Sequence, residues 1–211
     1  MAKKRERKTW LQRLGQWLLR LSGWKPVFEL PDVPKFVAIG YPHTSNWDFF
    51  PALFWGWASG LPFRWIGKKE LFPPVIGRVM VWLGGIPVDR KHSRGFVGQV
   101  ADYLKNAEAG VVVIAPDGTR KRAPYWRTGF YYMALEAGVP LALGYINYET
   151  REVGVGDWFM PSGDLEADFE RIRAFYEKKG RGLNPANHSP IVPKPRTVTV
   201  VPGEAGEEAG E

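Results

Sequence analysis

The chain contains no cysteine. That excludes a thiol nucleophile, disulfide staples and thiolate metal sites. Histidine is scarce: His43, His92 and His188 stand far apart, and their spacing favours no zinc site. No G-x-S-x-G sequence is present, which argues against a serine hydrolase built on a nucleophile elbow. No uncharged run reaches the ~20 residues that span a bilayer. The longest, Phe49 to Phe63, contains Pro51, Gly56, Gly60 and Pro62. It reads as a buried helix and turn, or as an apolar surface beside a site. Arginines interrupt the N-terminal apolar stretch, and no small-residue cleavage site follows it, so it does not read as a secretory signal. Internal repeats are absent too. The 211 residues suit one domain, long enough to bury a core without staples.

What the chain has in excess is aromatic. Ten tryptophans and 14% aromatic residues point to wet–dry boundaries such as ligand clefts or membrane interfaces. The net charge of +7 is concentrated at one end. Residues 1–25 carry eight bases and one acid, a local net of +7, so the remainder is neutral overall. Within this segment, WLQRLGQWLLRL places Trp10, Leu11, Leu14, Trp17, Leu18 and Leu21 on one helical face. Gln12, Arg13, Gln16 and Arg20 occupy the rest. Residues 1–30 therefore read as a basic amphipathic segment lying on an anionic membrane surface, each base contributing about 1 kcal/mol. The plainer alternative is a helix packed on the domain behind a solvated basic run. Nucleic acid is not an expected partner, because the body shows no aromatic–basic stripe. At the other end, residues 201–211 are acidic, lack large apolar side chains and read as a disordered tail.

Between these ends, residues 31–200 alternate strand and helix signals. Lys35–Gly40, Phe63–Ile66, Gly85–Val88, Val111–Ala115 and Leu141–Ile146 read as strands. Val111–Ala115 is the clearest, a β-branched run bounded by glycine and proline. Helices are expected over WDFFPALFWGWA, over Ser93–Asn106 before Gly110, over Gly129–Ala137 before Gly138, and near residues 164–179. This alternation predicts a single-domain α/β layered sheet flanked by helices.

Three stretches carry the candidate chemistry. In HTSNWD, His43 and Asp48 lie five residues apart. Inside one helix they would point about 140° apart. If His43 precedes the helix, with Thr44, Ser45 or Asn46 as N-cap, Asp48 falls in the first turn and His43 can fold back to it. The aspartate then accepts from one ring nitrogen and leaves the other as a base, the orienting logic of a catalytic triad without a serine. Equally, Asp48 can be a first-turn carboxylate answering the helix dipole, with His43 a loop residue. APDGTRKR follows the best strand with a tight turn and three bases, which suits a phosphate without being a P-loop. GIPVDR likewise ends a strand on Arg90. Each of these two is otherwise a strand-end turn with solvated charges.

HTSNWD, GIPVDR, PDGTR and VPLAL (139–143) stand in the order of the four motif blocks of the glycerolipid acyltransferase family. The chain resembles its lysophosphatidic acid acyltransferase branch, over roughly residues 40–145. The resemblance implies a glycerol-phosphate acyltransferase-like fold and transfer of an acyl group from a thioester, acyl-CoA or acyl carrier protein, to the hydroxyl of a lysophospholipid. The foremost acceptor would be 1-acyl-glycerol-3-phosphate, giving phosphatidic acid. It implies His43 as base and Asp48 as its orienter. It also implies a substrate-phosphate site at Arg90, Asp117, Gly118, Thr119 and Arg120. No metal or bound cofactor is expected, and the place of work would be peripheral, on the cytoplasmic face of the cell membrane. Asp117 stands where the family usually has glutamate, and Leu143-Gly144 stands where a second proline is usual. These departures keep a different hydroxylated acceptor in view, beside hydrolysis of the same thioester and a non-catalytic membrane- or anion-binding module.

Overall fold

The computed structural model describes residues 9–88 and 95–195. Seven strands form one sheet in the order β1-β7-β6-β2-β5-β3-β4. They are β1 (Lys25–Phe28), β2 (Lys35–Tyr41), β3 (Phe63–Lys68), β4 (Gly85–Val88), β5 (Gly110–Ile114), β6 (Leu141–Asn147) and β7 (Glu152–Phe159). The five from β6 to β4 are parallel to one another, while β7 runs antiparallel to β6 and carries β1 parallel to itself. The helices are α1 (Trp10–Leu21), α2 (Phe49–Ser59), α3 (Ile76–Trp82), α4 (Phe96–Asn106), α5 (Gly129–Ala137) and α6 (Leu165–Lys179). The expected α/β layered sheet is what forms.

Strand β2 shows why both faces must be covered. Phe36, Val37, Ala38, Ile39 and Tyr41 are all buried, and they alternate between two cores. Val37, Ile39 and Tyr41 join Leu104, Phe130, Ile172 and Tyr176 from α4, α5 and α6. Phe36 and Ala38 join Leu19, Trp55 and Ala58 from α1 and α2 on the other side. The period of two thus survives inside a continuous apolar run, as in a parallel sheet buried on both faces.

Helix α1 packs differently from the simple one-face pattern. Its buried residues are Gly15 and Leu19, set against α2, while Leu11, Leu14 and Leu18 are half-buried. Trp10, Trp17 and Leu21 remain exposed. The reason is close approach: a Cβ on Gly15 would lie 2.6 Å from the Phe54 carbonyl oxygen and 2.7 Å from the Ala58 nitrogen. The smallest side chain, rather than the largest, faces the domain. The helix is thus docked on the domain, as the plainer expectation had it, and it leaves a tryptophan edge open. Thr9 begins it with a capping box shared with Gln12.

Candidate active site

The carboxyl ends of β2 and β5 lie side by side, with Ile39 paired to Ile114. From β2 the chain passes to α2 on one face of the sheet, and from β5 it passes to α5 on the opposite face. Loops that diverge in this way leave a crevice at the strand ends, where open α/β sheets bind ligands. HTSNWD leaves β2 here, and PDGTR leaves β5.

Ser45 caps a 3-10 turn, Asn46–Asp48, that leads directly into α2. Its side chain accepts from the Trp47 N–H at 3.2 Å. Asp48 Oδ2 accepts from the backbone N–H groups of Thr44 (2.8 Å) and Ser45 (2.9 Å). The same oxygen lies 3.3 Å from His43 Nδ1. One buried carboxylate thus both caps the turn and lies against the imidazole. The His43 ring is about one-third exposed, with its side chain at 32%. With Nδ1 held toward Asp48, Nε2 is left to accept a proton.

The second loop closes against the first. Asp117 is buried, at 5% exposure, and its Oδ2 accepts from the Ser189 hydroxyl at 3.4 Å. Its Oδ1 has no protein partner. Burial pushes this carboxyl up to about 6, against the opposing pull of His43 and of hydrogen bonds from Thr119 and Ser189. Gly118 takes φ +64°, a conformation that favours glycine, and its N–H closes the turn on Ala115 O at 3.1 Å. Thr119 Oγ1 accepts from the Lys121 N–H at 3.3 Å. Arg120 is exposed, and its Nη1 donates to Asn46 Oδ1 inside HTSNWD. The structure therefore brings His43, Asp48, Asp117, Gly118, Thr119 and Arg120 to one edge of the sheet. Arg90 lies outside the described residues.

Several residues at this edge were not legible as a motif. Tyr148, just past the end of β6, donates its hydroxyl to Asp48 Oδ1 at 2.8 Å. The segment after α6 returns across both loops. Asn184 donates its N–H to Thr44 Oγ1 (3.2 Å) and its side-chain amide to Thr44 O (3.1 Å). Ser189 O accepts from the Tyr41 hydroxyl at 2.9 Å, and Ser189 Oγ accepts from the Ala123 N–H at 2.9 Å. His188 Nε2 accepts from the Gly182 N–H at 3.0 Å, which requires a neutral ring, and burial lowers its pKa accordingly. The one available signal was topological: β6 neighbours β2, so a polar residue at its carboxyl end falls near the same crevice. Among the described residues, no cluster of histidine, aspartate and glutamate is arranged to hold a metal.

Over residues 33–142, just over half of its length, the chain matches the family model described as acyltransferase. It belongs to the acyltransferase family. Its fold is similar to that of the 1-acyl-sn-glycerophosphate (LPA) acyltransferase PlsC from Thermotoga maritima. The TM-score is 0.53 at 17% identity, over 78% of this chain and 74% of that one. No curated protein gives a significant match.

Proposed function

We propose that this acyltransferase moves a fatty acyl group from a thioester to the free hydroxyl of a lysophospholipid at a membrane surface. The foremost acceptor is 1-acyl-glycerol-3-phosphate. The observation that carries the reading is the His43–Asp48 pair at the head of α2, with Nδ1 3.3 Å from Oδ2. In this reading His43 Nε2 removes the acceptor's hydroxyl proton as the oxygen attacks the thioester carbonyl carbon. The tetrahedral intermediate collapses, the C–S bond breaks, and the thiol leaves with the proton returned from the imidazole. Asp48 holds the ring and stabilises its positive charge in between. Arg120 and the Gly118–Thr119 turn are the groups nearest to hand for an acceptor phosphate, with Arg90 as the second base and Asp117 shaping the turn. No bound cofactor enters the scheme, because the thioester brings its own leaving group, whether from acyl-CoA or acyl carrier protein.

Two features support work at a lipid surface. Trp10, Trp17 and Leu21 leave an apolar edge open on a helix whose flanking run, residues 1–8, is basic. Residues 71–82 hold a single charge, Arg78, and expose Val75, Ile76, Val79 and Trp82. No helix among the described residues is long and apolar enough to cross a membrane. A second reading keeps the same chemistry with an uncharged hydroxylated lipid as acceptor. It is favoured by the buried Asp117 carboxyl beside the site and by Arg120 being already engaged with Asn46.

The test is transfer from labelled acyl-CoA and acyl carrier protein donors to lysolipids with and without a terminal phosphate. Labelled phosphatidic acid is expected, and it should fall by about 10²–10⁴ in His43→Ala with the melting temperature nearly unchanged. Activity retained in that variant removes the mechanism. Transfer only to phosphate-free acceptors selects the second reading, and free fatty acid as sole product assigns hydrolysis instead.

A further inference from the structure

Tyr148 is built into its place more firmly than a surface loop residue need be. Its backbone N–H donates to Arg181 O at 2.9 Å. The preceding Asn147 closes the turn by accepting from the N–H groups of Glu149 and Thr150, both at 3.0 Å. Asn147 also donates its side-chain amide to Lys179 O at 2.9 Å. The Tyr148 ring packs edge-on against the buried Trp24 ring, with centroids 5.0 Å apart at 84°. Trp24 is fixed in turn by its N–H bond to Leu19 O at 2.8 Å, and Arg151 lies 5.6 Å over its indole. A phenol held at its backbone and along its ring can aim its hydroxyl at only one target. That target is Asp48 Oδ1, at 2.8 Å.

The two oxygens of Asp48 then divide their work. Oδ2 takes the Thr44 and Ser45 N–H groups and faces His43 Nδ1. Oδ1 is held by Tyr148. With both oxygens engaged, the carboxylate cannot rotate about its terminal torsion, a broad and soft one when left free. Without the phenol, Oδ1 is a buried charged acceptor with no donor, and a carboxylate in that position turns to find one. Rotation draws Oδ2 away from Nδ1, and the neutral imidazole loses its reason to carry its proton there. We propose that Tyr148 is a positioning residue for His43, acting through Asp48 to keep the ring proton on Nδ1 and Nε2 open. The kinetic consequence rests on the reading of His43 as the base; the structural one does not. Burial, and Asp48 beside it, hold the Tyr148 hydroxyl well above its ordinary range, so it stays a donor throughout the working pH range.

The experiment compares the full chain with Tyr148→Phe by long-range nitrogen–proton correlation of the imidazoles, at a pH where they are neutral. His43→Ala identifies the His43 signals among the three histidines. Wild type is expected to show the Nδ1–H tautomer alone, and Tyr148→Phe a mixture of both. Transfer kinetics should show kcat reduced roughly tenfold with KM unchanged, the size expected for one charge-assisted hydrogen bond. A Tyr148→Phe spectrum with the wild-type tautomer overturns the proposal, whatever its rate or melting temperature, and leaves the phenol a packing role. A changed tautomer with an unchanged transfer rate upholds the positioning and instead sinks the assignment of His43 as base.

Discussion

Asp117→Asn tests whether an ionised carboxylate is held in the crevice against its own solvation. The side chain is 5% exposed, and Oδ1 has no protein partner. Its pKa is raised from 3.8 to about 6, chiefly by burial. A folded-state carboxyl titrating above its unfolded value means that the native chain binds the extra proton between those two values. The contribution of this group to stability is therefore greatest below pH 4, declines as pH rises through the window to about 6, and stays at the lower level beyond. Two units at 1.36 kcal/mol each make the ionised side chain a destabilisation of roughly 3 kcal/mol at pH 7. Asparagine keeps the shape and the acceptor for the Ser189 hydroxyl, and removes the charge. Urea titrations of both proteins from pH 4 to pH 8 should show the variant gaining on wild type through that window, then a constant gap. A gap that does not vary with pH, or a variant less stable than wild type at pH 7, refutes the reasoning. Transfer activity should fall in the same variant, a cost of the kind expected where a strained charge serves function.

Two further outcomes follow from the packing. Gly15→Ala forces α1 away from the Phe54 carbonyl and the Ala58 nitrogen, and should cost about 1–3 kcal/mol in denaturant titrations; an unchanged midpoint would mean that the helices do not cross so closely. Trp17→Ser, on the open edge of α1, should weaken cosedimentation with anionic vesicles about tenfold while leaving the melting temperature in place. Equal binding by that variant and wild type would remove α1 from the lipid contact.

The parallel body of the sheet was legible because its strands are short apolar runs between glycines and prolines, as in Gly110–Ile114 and Leu141–Asn147. Strand β7 was not: EVGVGDWF carries two glycines and an aspartate, and it becomes a strand through pairing with β6 on one side and β1 on the other. Strand β1 holds only four residues, one of them proline, which is tolerable at an edge. Helix α3 is seven residues, too few for a period to show. At the site, His43 and Asp48 were readable together because a 3-10 turn brings residues five apart into contact, and helix-capping chemistry is local. Tyr148, Asn184 and Ser189 lie far from HTSNWD in the chain, and no local spacing announces a contact made by the sheet and by a returning segment.

That returning segment gives the crevice a dependence on the order in which the chain is made. Asn184 and Ser189 hold loops that left the sheet at residues 42 and 115, and Trp126 pairs with Val192 and Lys194 through its own N–H and C=O. A nascent chain of 180 residues already holds every residue of HTSNWD and PDGTR, yet lacks the partners that fasten Thr44 and Asp117. Fastening of the site thus waits on residues 184 to 194, and an interrupted translation product carries the motifs without the clasp that sets them.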